Sequence, residues 1–165
     1  MIFLILGTQK FQLNRLLREM DELYKQGKIK ERTFAQIGCS DYLPHNYDYI
    51  DFLDRENFED KIKESDLIIT HSGVGSILTS LKYEKPVIVY PRLCKYKEHV
   101  DDHQLEIAKA FAKKKYVLYC GEDDDLYEVI KQAKYTKFEK YTSSTHNIVR
   151  AVSYTHLTLP TILLV

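Results

Sequence analysis

Short unbroken apolar or β-branched runs recur along the chain and predict strands at Ile2–Leu6, Thr33–Ile37, Tyr47–Asp51, Leu67–Thr70, Pro86–Pro91 and Tyr116–Cys120. Between them, apolar positions spaced i, i+3, i+4 predict helices at Phe11–Gln26, Phe58–Lys63, Ser76–Lys82, Asp101–Lys114 and Leu126–Lys134. The first helix carries its stripe on Leu13, Leu16, Leu17, Met20 and Leu23 and ends at Gly27. The fourth places Leu105, Ala108 and Phe111 on one face. Prolines bound the fifth strand, where a missing N–H is tolerated. The strands are uniformly apolar instead of alternating, so both of their faces are covered. Strand and helix alternate throughout, and no repeat or linker divides the chain. The pattern predicts one α/β domain, a Rossmann-like parallel sheet with helices on both faces.

Such a sheet binds ligands beyond the carboxyl ends of its strands. The turns predicted there are Gly7-Thr8, the loop after Gly38, the stretch Thr70-His71-Ser72-Gly73-Val74-Gly75-Ser76, and the loop after Pro91. In the third, two glycines and small hydroxyls between strand and helix leave backbone N–H groups bare at the positive end of a helix. That is where phosphate binds readily. His71 can add a hydrogen bond, charged or neutral, to the same anion. The plainer role for His71 is a strand-end residue bonded to backbone; the neighbouring glycines favour phosphate. The turn Gly7-Thr8-Gln9-Lys10 lacks the GxGxxG fingerprint, and no acidic residue closes the second strand, which argues against NAD.

Composition then narrows the partners. The 24 basic residues balance the 24 acidic ones, so no net field draws the chain to nucleic acid or an anionic membrane. Its 165 residues suffice for one domain with a full core. The sequence shows no signal peptide and no apolar run of spanning length. Cys39, Cys94 and Cys120 are widely spaced and predict reduced, partly buried residues.

Other chemistry-bearing residues have bland readings beside the functional ones. Asp66, Asp101 and Asp102 could each act as a base by type; Asp101 suits a helix N-terminus better, while Asp102 and His103 stay open. His99 and His103 stand at i, i+4 with Asp102 between them, yet no third ligand accompanies them, so no metal site is predicted. The stretch Arg92–His99 is basic and aromatic, and reads either as a solvated loop or as a donor-phosphate or partner contact. Tyr42, Tyr47 and Tyr49, among thirteen tyrosines, mark the loop after Gly38 as a docking surface or a self-packed loop.

At these turns the sequence resembles the C-terminal half of GT-B glycosyltransferases, the glycosyltransferase family 28 C-terminal type. It is most similar to the catalytic subunits of split bacterial capsule and exopolysaccharide transferases, with the soluble subunit of the two-part eukaryotic GlcNAc transferase as a further relative. The resemblance rests on Gly7-Thr8-Gln9 with Phe11, Gln36-Ile37-Gly38, His71-Ser72-Gly73-Val74-Gly75-Ser76, Lys85-Pro86 with Pro91, and His99-Val100-Asp101-Asp102-His103-Gln104, running from Met1 to about Arg150. It implies a UDP-sugar donor and no separate cofactor. Gly73, Gly75 and Ser76 would hold the diphosphate, with His71 stabilising the leaving group and Thr8 facing it. The backbone at Phe52 and Leu53 would grip uracil, and His103 and Gln104 would reach the sugar hydroxyls. Relatives often carry a carboxylate for the ribose near Thr79, where this chain has only a hydroxyl.

The resemblance further implies metal-independent transfer with inversion to a lipid-linked saccharide. The acceptor site, and with it the base, would belong to a membrane-anchored partner that keeps this chain at the cytoplasmic face of the membrane. The rival reading is a non-catalytic nucleotide-binding module that regulates or scaffolds. On the glycosyltransferase resemblance residues 1–152 form the UDP-sugar-binding domain of GT-B C-terminal type. Residues 153–165 are similar to a translated adapter and predict a foreign or disordered tail, with a docking tail as the alternative.

Overall fold

The computed structural model describes residues 1–142; the tail expected at 153–165 lies outside them. Six parallel strands form one sheet: β1 (Ile2–Ile5), β2 (Thr33–Gln36), β3 (Asp48–Ile50), β4 (Leu67–Thr70), β5 (Val87–Val89) and β6 (Leu118–Tyr119). Their order is β3-β2-β1-β4-β5-β6. The chain leaves β1 toward β2 on one side and returns to β4 on the other, so the order reverses between β1 and β4. Ile5 pairs with Gln36 on one side and with Thr70 on the other, which brings the turns after three strands to one edge.

The helices are α1 (Asn14–Lys25), α2 (Arg55–Glu64), α3 (Val74–Lys82), α4 (His103–Lys113) and α5 (Leu126–Ala133), with a short 3₁₀ turn at Cys94–Tyr96. The two-residue period of β1 sorts the core. Ile2, Leu4 and Leu6 pack with Leu16, Leu17 and Met20 of α1 and Leu126, Val129 and Ile130 of α5. Phe3 and Ile5 pack on the opposite face with Ile62 of α2, Ile77 of α3 and Phe111 of α4. The predicted Rossmann-like α/β sheet is the fold observed.

Several expectations are corrected. Helix α1 starts at Asn14 instead of Phe11, because the Phe11 carbonyl accepts from the Arg92 guanidinium and is not available to begin a helical ladder. Helix α2 begins three residues early, where Asp54 accepts the Asn57 N–H at 2.8 Å. On α4 the buried stripe is Gln104, Ile107, Ala108 and Phe111; Leu105 is only half-buried. Cys39 and Cys94 are exposed, and only Cys120 is buried.

The tyrosine loop is largely self-packed. Asp21 accepts the Tyr42 hydroxyl at 2.7 Å and the N–H groups of His45 and Asn46, and the buried Tyr47 hydroxyl donates to the Leu17 carbonyl. Burial works against the Asp21 carboxylate, but these donors outweigh it and hold its pKa below the ordinary value. Of the three tyrosines, only Tyr49 on the edge strand β3 is exposed. No helix among the described residues is long and apolar enough to cross a membrane.

Candidate functional site

At the switch point between β1 and β4, a cleft of about 520 Å³ opens beyond the strand ends. Its walls include Gly7 and Thr8 after β1, Gln36 and Leu53 beside β2, and Gly75, Ser76 and Thr79 on the first turns of α3. Helix α3 opens on Gly73 with no side-chain cap. Its first-turn N–H groups, from Val74 to Ser76, precede the first helical bond, in which the Ile77 N–H donates to the Gly73 carbonyl. Uncapped N–H groups and the helix dipole give this wall a positive partial charge.

Thr8, Leu53, Gly75, Ser76 and Thr79 therefore meet around one space, as the sequence placed them. The Thr79 hydroxyl donates to the Gly75 carbonyl at 2.8 Å and keeps only its acceptor capacity for a ligand. The Leu53 N–H is already spent on the Gln36 side-chain oxygen at 2.9 Å, so a base at this position would meet the Leu53 carbonyl. The Phe52 ring is exposed and is not part of the wall.

The sequence reading missed residues that arrive from α2 and from the far end of α3. Arg55, Phe58 and Glu59 line one side and Lys82 closes it. Glu59 faces the same cleft as Thr79 and accepts from Arg55 at 3.3 Å and from the Tyr83 hydroxyl at 2.7 Å. A carboxylate is thus present, supplied by a neighbouring helix instead of position 79.

His71, Gly73 and Gln104 lie beneath this wall and not on it. The imidazole is 1% exposed and sits between the turns that follow β1 and β4. A Cβ on Gly7 would stand 2.5 Å from His71 Nε2, and one on Gly73 would stand 2.8 Å from the same atom and closer still to Cε1. Gly7 also has φ +80°, which favours glycine in any case. A Cβ on Gly38 would stand 2.6 Å from the Gly7 carbonyl oxygen. Room for the ring and for neighbouring backbone requires Gly7, Gly38 and Gly73.

Around the ring lies a polar cluster centred on Arg92, whose stretch reads from sequence either as a solvated loop or as a donor-phosphate or partner contact. Arg92 is fully buried. Its guanidinium donates to His71 Nδ1 at 3.0 Å and to the Leu6 and Phe11 carbonyls. Burial pulls its pKa down to about 10, against the favourable field of Glu98. Glu98 is itself buried and takes a two-pronged pair from Arg15 at 3.0 and 3.1 Å. The Gln104 side-chain oxygen accepts the N–H groups of Ser72 at 3.2 Å and Arg92 at 3.1 Å, while its nitrogen donates to His71 Nδ1 at 3.1 Å. An amide so engaged holds the site together and keeps one N–H of its nitrogen uncommitted. Burial, then the Arg92 charge, pushes the His71 pKa well below that of a free imidazole, so the ring is neutral.

The remaining candidates are accounted for. Asp66 lies at the amino end of β4, beside the Met1 amino group and across the sheet from the cleft. Asp101 accepts the His103 N–H at 3.0 Å and bridges the side chains of His99 and His103, from one residue before Asp102, which is the N-cap of α4. Asp102 accepts the Cys94 N–H at 2.9 Å. Among the described residues no three His, Cys, Asp or Glu side chains are grouped to hold a metal.

Replacing Gly73 by alanine tests the spacer role. Gly73 has φ −75°, so alanine carries no backbone strain there and its cost comes from the ring alone. Gly73→Ala is expected to destabilise the fold by about 2 kcal/mol, the usual scale of overpacking. Adding His71→Ala should return much of that loss in a double-mutant cycle followed by urea unfolding. Losses that simply add would show that Gly73 is not there to clear the imidazole.

A parallel sheet of this order, with its cleft at the reversal point and an uncapped helix start forming one wall, is the architecture of a nucleotide-binding α/β domain. The chain belongs to the family of the glycosyltransferase family 28 C-terminal domain, which matches residues 1–155. It is 32% identical over 126 residues to the human UDP-N-acetylglucosamine transferase subunit ALG13, covering 72% of this chain and 11% of that protein. The Saccharomyces cerevisiae subunit of the same name is 46% identical over 57 residues, covering 34% of this chain and 26% of that one. The chain thus spans a minor part of these relatives. Among solved structures, the glycotransferase of kitacinnamycin superposes with a TM-score of 0.57 at 15% identity over 92% of this chain and 37% of its own. The spinosyn forosaminyltransferase SpnP gives 0.55 at 14% identity over 92% and 39%. Both show the same fold.

Proposed function

We propose that this chain is the donor-binding, catalytic part of a glycosyltransferase that takes a hexose from a UDP-sugar. One observation carries the reading: the cleft at the switch point joins an uncapped helix start to the Gly7-Thr8 turn, a place suited to a diphosphate. The diphosphate lies over the first turn of α3 within reach of Ser76 and Thr8. Uracil packs at Leu53, whose carbonyl accepts the base N3–H. Glu59 and Thr79 face the ribose. The relatives' name, a UDP-N-acetylglucosamine transferase subunit, makes N-acetylglucosamine the first sugar to test.

Transfer proceeds by in-line attack with inversion. An acceptor hydroxyl oxygen forms a bond to C1, the bond from C1 to the phosphate oxygen breaks, and UDP leaves with the electron pair. The start of α3, in a cleft that the cations Arg55 and Lys82 also line, meets the charge growing on the leaving group, so the reaction needs no metal. The hydroxyl proton goes to a base outside this chain, since Asp66, Asp101 and Asp102 are placed or engaged elsewhere. The acceptor is a lipid-linked saccharide of capsule or exopolysaccharide assembly, held by a membrane-anchored partner at the cytoplasmic face of the membrane.

Calorimetry separates this from other nucleotide modules. UDP and UDP-N-acetylglucosamine should bind with similar affinity and NAD should give no heat. Binding of NAD with none of UDP overturns the reading.

A further inference from the structure

We infer that Arg92 and Gln104 are positioning residues that fix His71 as the tautomer protonated at Nε2 and hold that N–H as a hydrogen-bond donor in the seam between Gly7 and Gly73. Three observations carry it. A guanidinium can only donate, so His71 Nδ1, 3.0 Å from Arg92, must accept and carries no proton. The Gln104 amide is fixed the same way: its oxygen takes two backbone N–H groups, from Ser72 and Arg92, so its nitrogen faces Nδ1. With Nδ1 taken, the ring proton sits on Nε2, a buried atom with no hydrogen-bond partner among the described residues. The glycines on both sides leave just enough room for it.

The same cluster ties the site's turns into one unit. Arg92 holds the Leu6 carbonyl ahead of the Gly7-Thr8 turn, and Gln104 holds Ser72 ahead of the α3 start. An orphaned buried donor costs stability unless something accepts from it. Resting on the donor-site reading above, that acceptor is an oxygen of the diphosphate, reached as the two turns part slightly around the bound nucleotide. A neutral donor suits this task because its strength does not vary with pH near neutrality, whereas an imidazolium would place a second cation beside Arg92. The charged groups facing the ring are Arg92 and, more distantly, His99; Arg92 in turn faces Glu98 and Cys39.

The test is long-range proton–nitrogen NMR on the whole ¹⁵N-labelled chain, with His71 assigned by comparison with His71→Ala. His71 should show a protonated Nε2 and a bare Nδ1, unchanged from pH 8 to 5.5. In the double variant Arg92→Met with Gln104→Met, which removes both donors to Nδ1, both tautomers should appear and the signals should move toward imidazolium as pH falls. UDP affinity at pH 8 should then drop about tenfold, the worth of one charge-assisted bond. Arg92→Lys with Gln104 kept, which retains the donors, should keep the single tautomer. Purely structural roles for both residues would leave tautomer and pH response untouched in the double variant, and that result overturns the inference. Should the double variant not fold, the parent spectrum decides alone: a proton on Nδ1, or titration near pH 6.5, overturns it. The expected tautomer in a chain that binds no UDP supports the clamp and refutes the donor-site reading instead.

Discussion

Gly75→Val is expected to abolish UDP binding, with a loss of at least about a hundredfold, while leaving the fold and its thermal stability intact. Gly75 is the second residue of α3 and lines the cleft, so a branched side chain there occupies diphosphate space and screens the first-turn N–H groups. The helix does not resist the change. Glycine is the poorest helix former after proline, and valine at a helix start costs no more. The bond from the Thr79 hydroxyl to the Gly75 carbonyl uses backbone and survives. Calorimetry with UDP and a parallel thermal melt measure both halves of the statement. A valine variant that binds UDP within about threefold of the parent would move the diphosphate away from α3.

Much of this architecture was legible because it depends on local pattern. Each strand is a short apolar run, each helix a periodic one, and the glycine turns punctuate them in order. That is enough to place Thr8, Gly75, Ser76 and Thr79 at one edge of one sheet. What the pattern hides is any residue whose role depends on contacts far along the chain. Arg92 stands beside Cys94, Lys95 and Lys97, and the local composition reads as surface. Its burial comes from carbonyls 86 and 81 residues away, at Leu6 and Phe11. The structural role of Gln104 was hidden for the same reason. Its two backbone donors lie across the site, and its burial turns the α4 stripe onto Ile107, leaving Leu105 half-buried. Arg55, Glu59 and Lys82 occupy helix faces that read as solvated charge until the cleft between α2 and α3 is seen. The glycines were legible as important, but one cause was hidden. Beside the phosphate approach expected of Gly73, the structure shows that it makes room for a histidine ring.

The second large effect concerns turnover. This 165-residue chain, purified by itself, is expected to bind UDP-sugar and yet transfer sugar to a lipid-linked acceptor at least about a thousandfold more slowly than with its proposed partner. Two features of the molecule support the expectation. The chain corresponds to 37% and 39% of the two solved glycosyltransferases it superposes on, so most of each lies outside the matched fold. The three aspartates that could act as a base by type are also placed or engaged elsewhere: Asp66 at the far edge of the sheet, Asp101 to the His103 N–H, Asp102 to the Cys94 N–H. Holding donor and acceptor in line accounts for much of an enzyme's rate advantage, and a donor cleft alone cannot supply it. Adding the membrane-anchored partner should restore transfer with donor affinity unchanged, since the cleft is complete in this chain. Rapid glycosylation of the lipid acceptor in detergent by this chain alone would place both the acceptor site and the base within it.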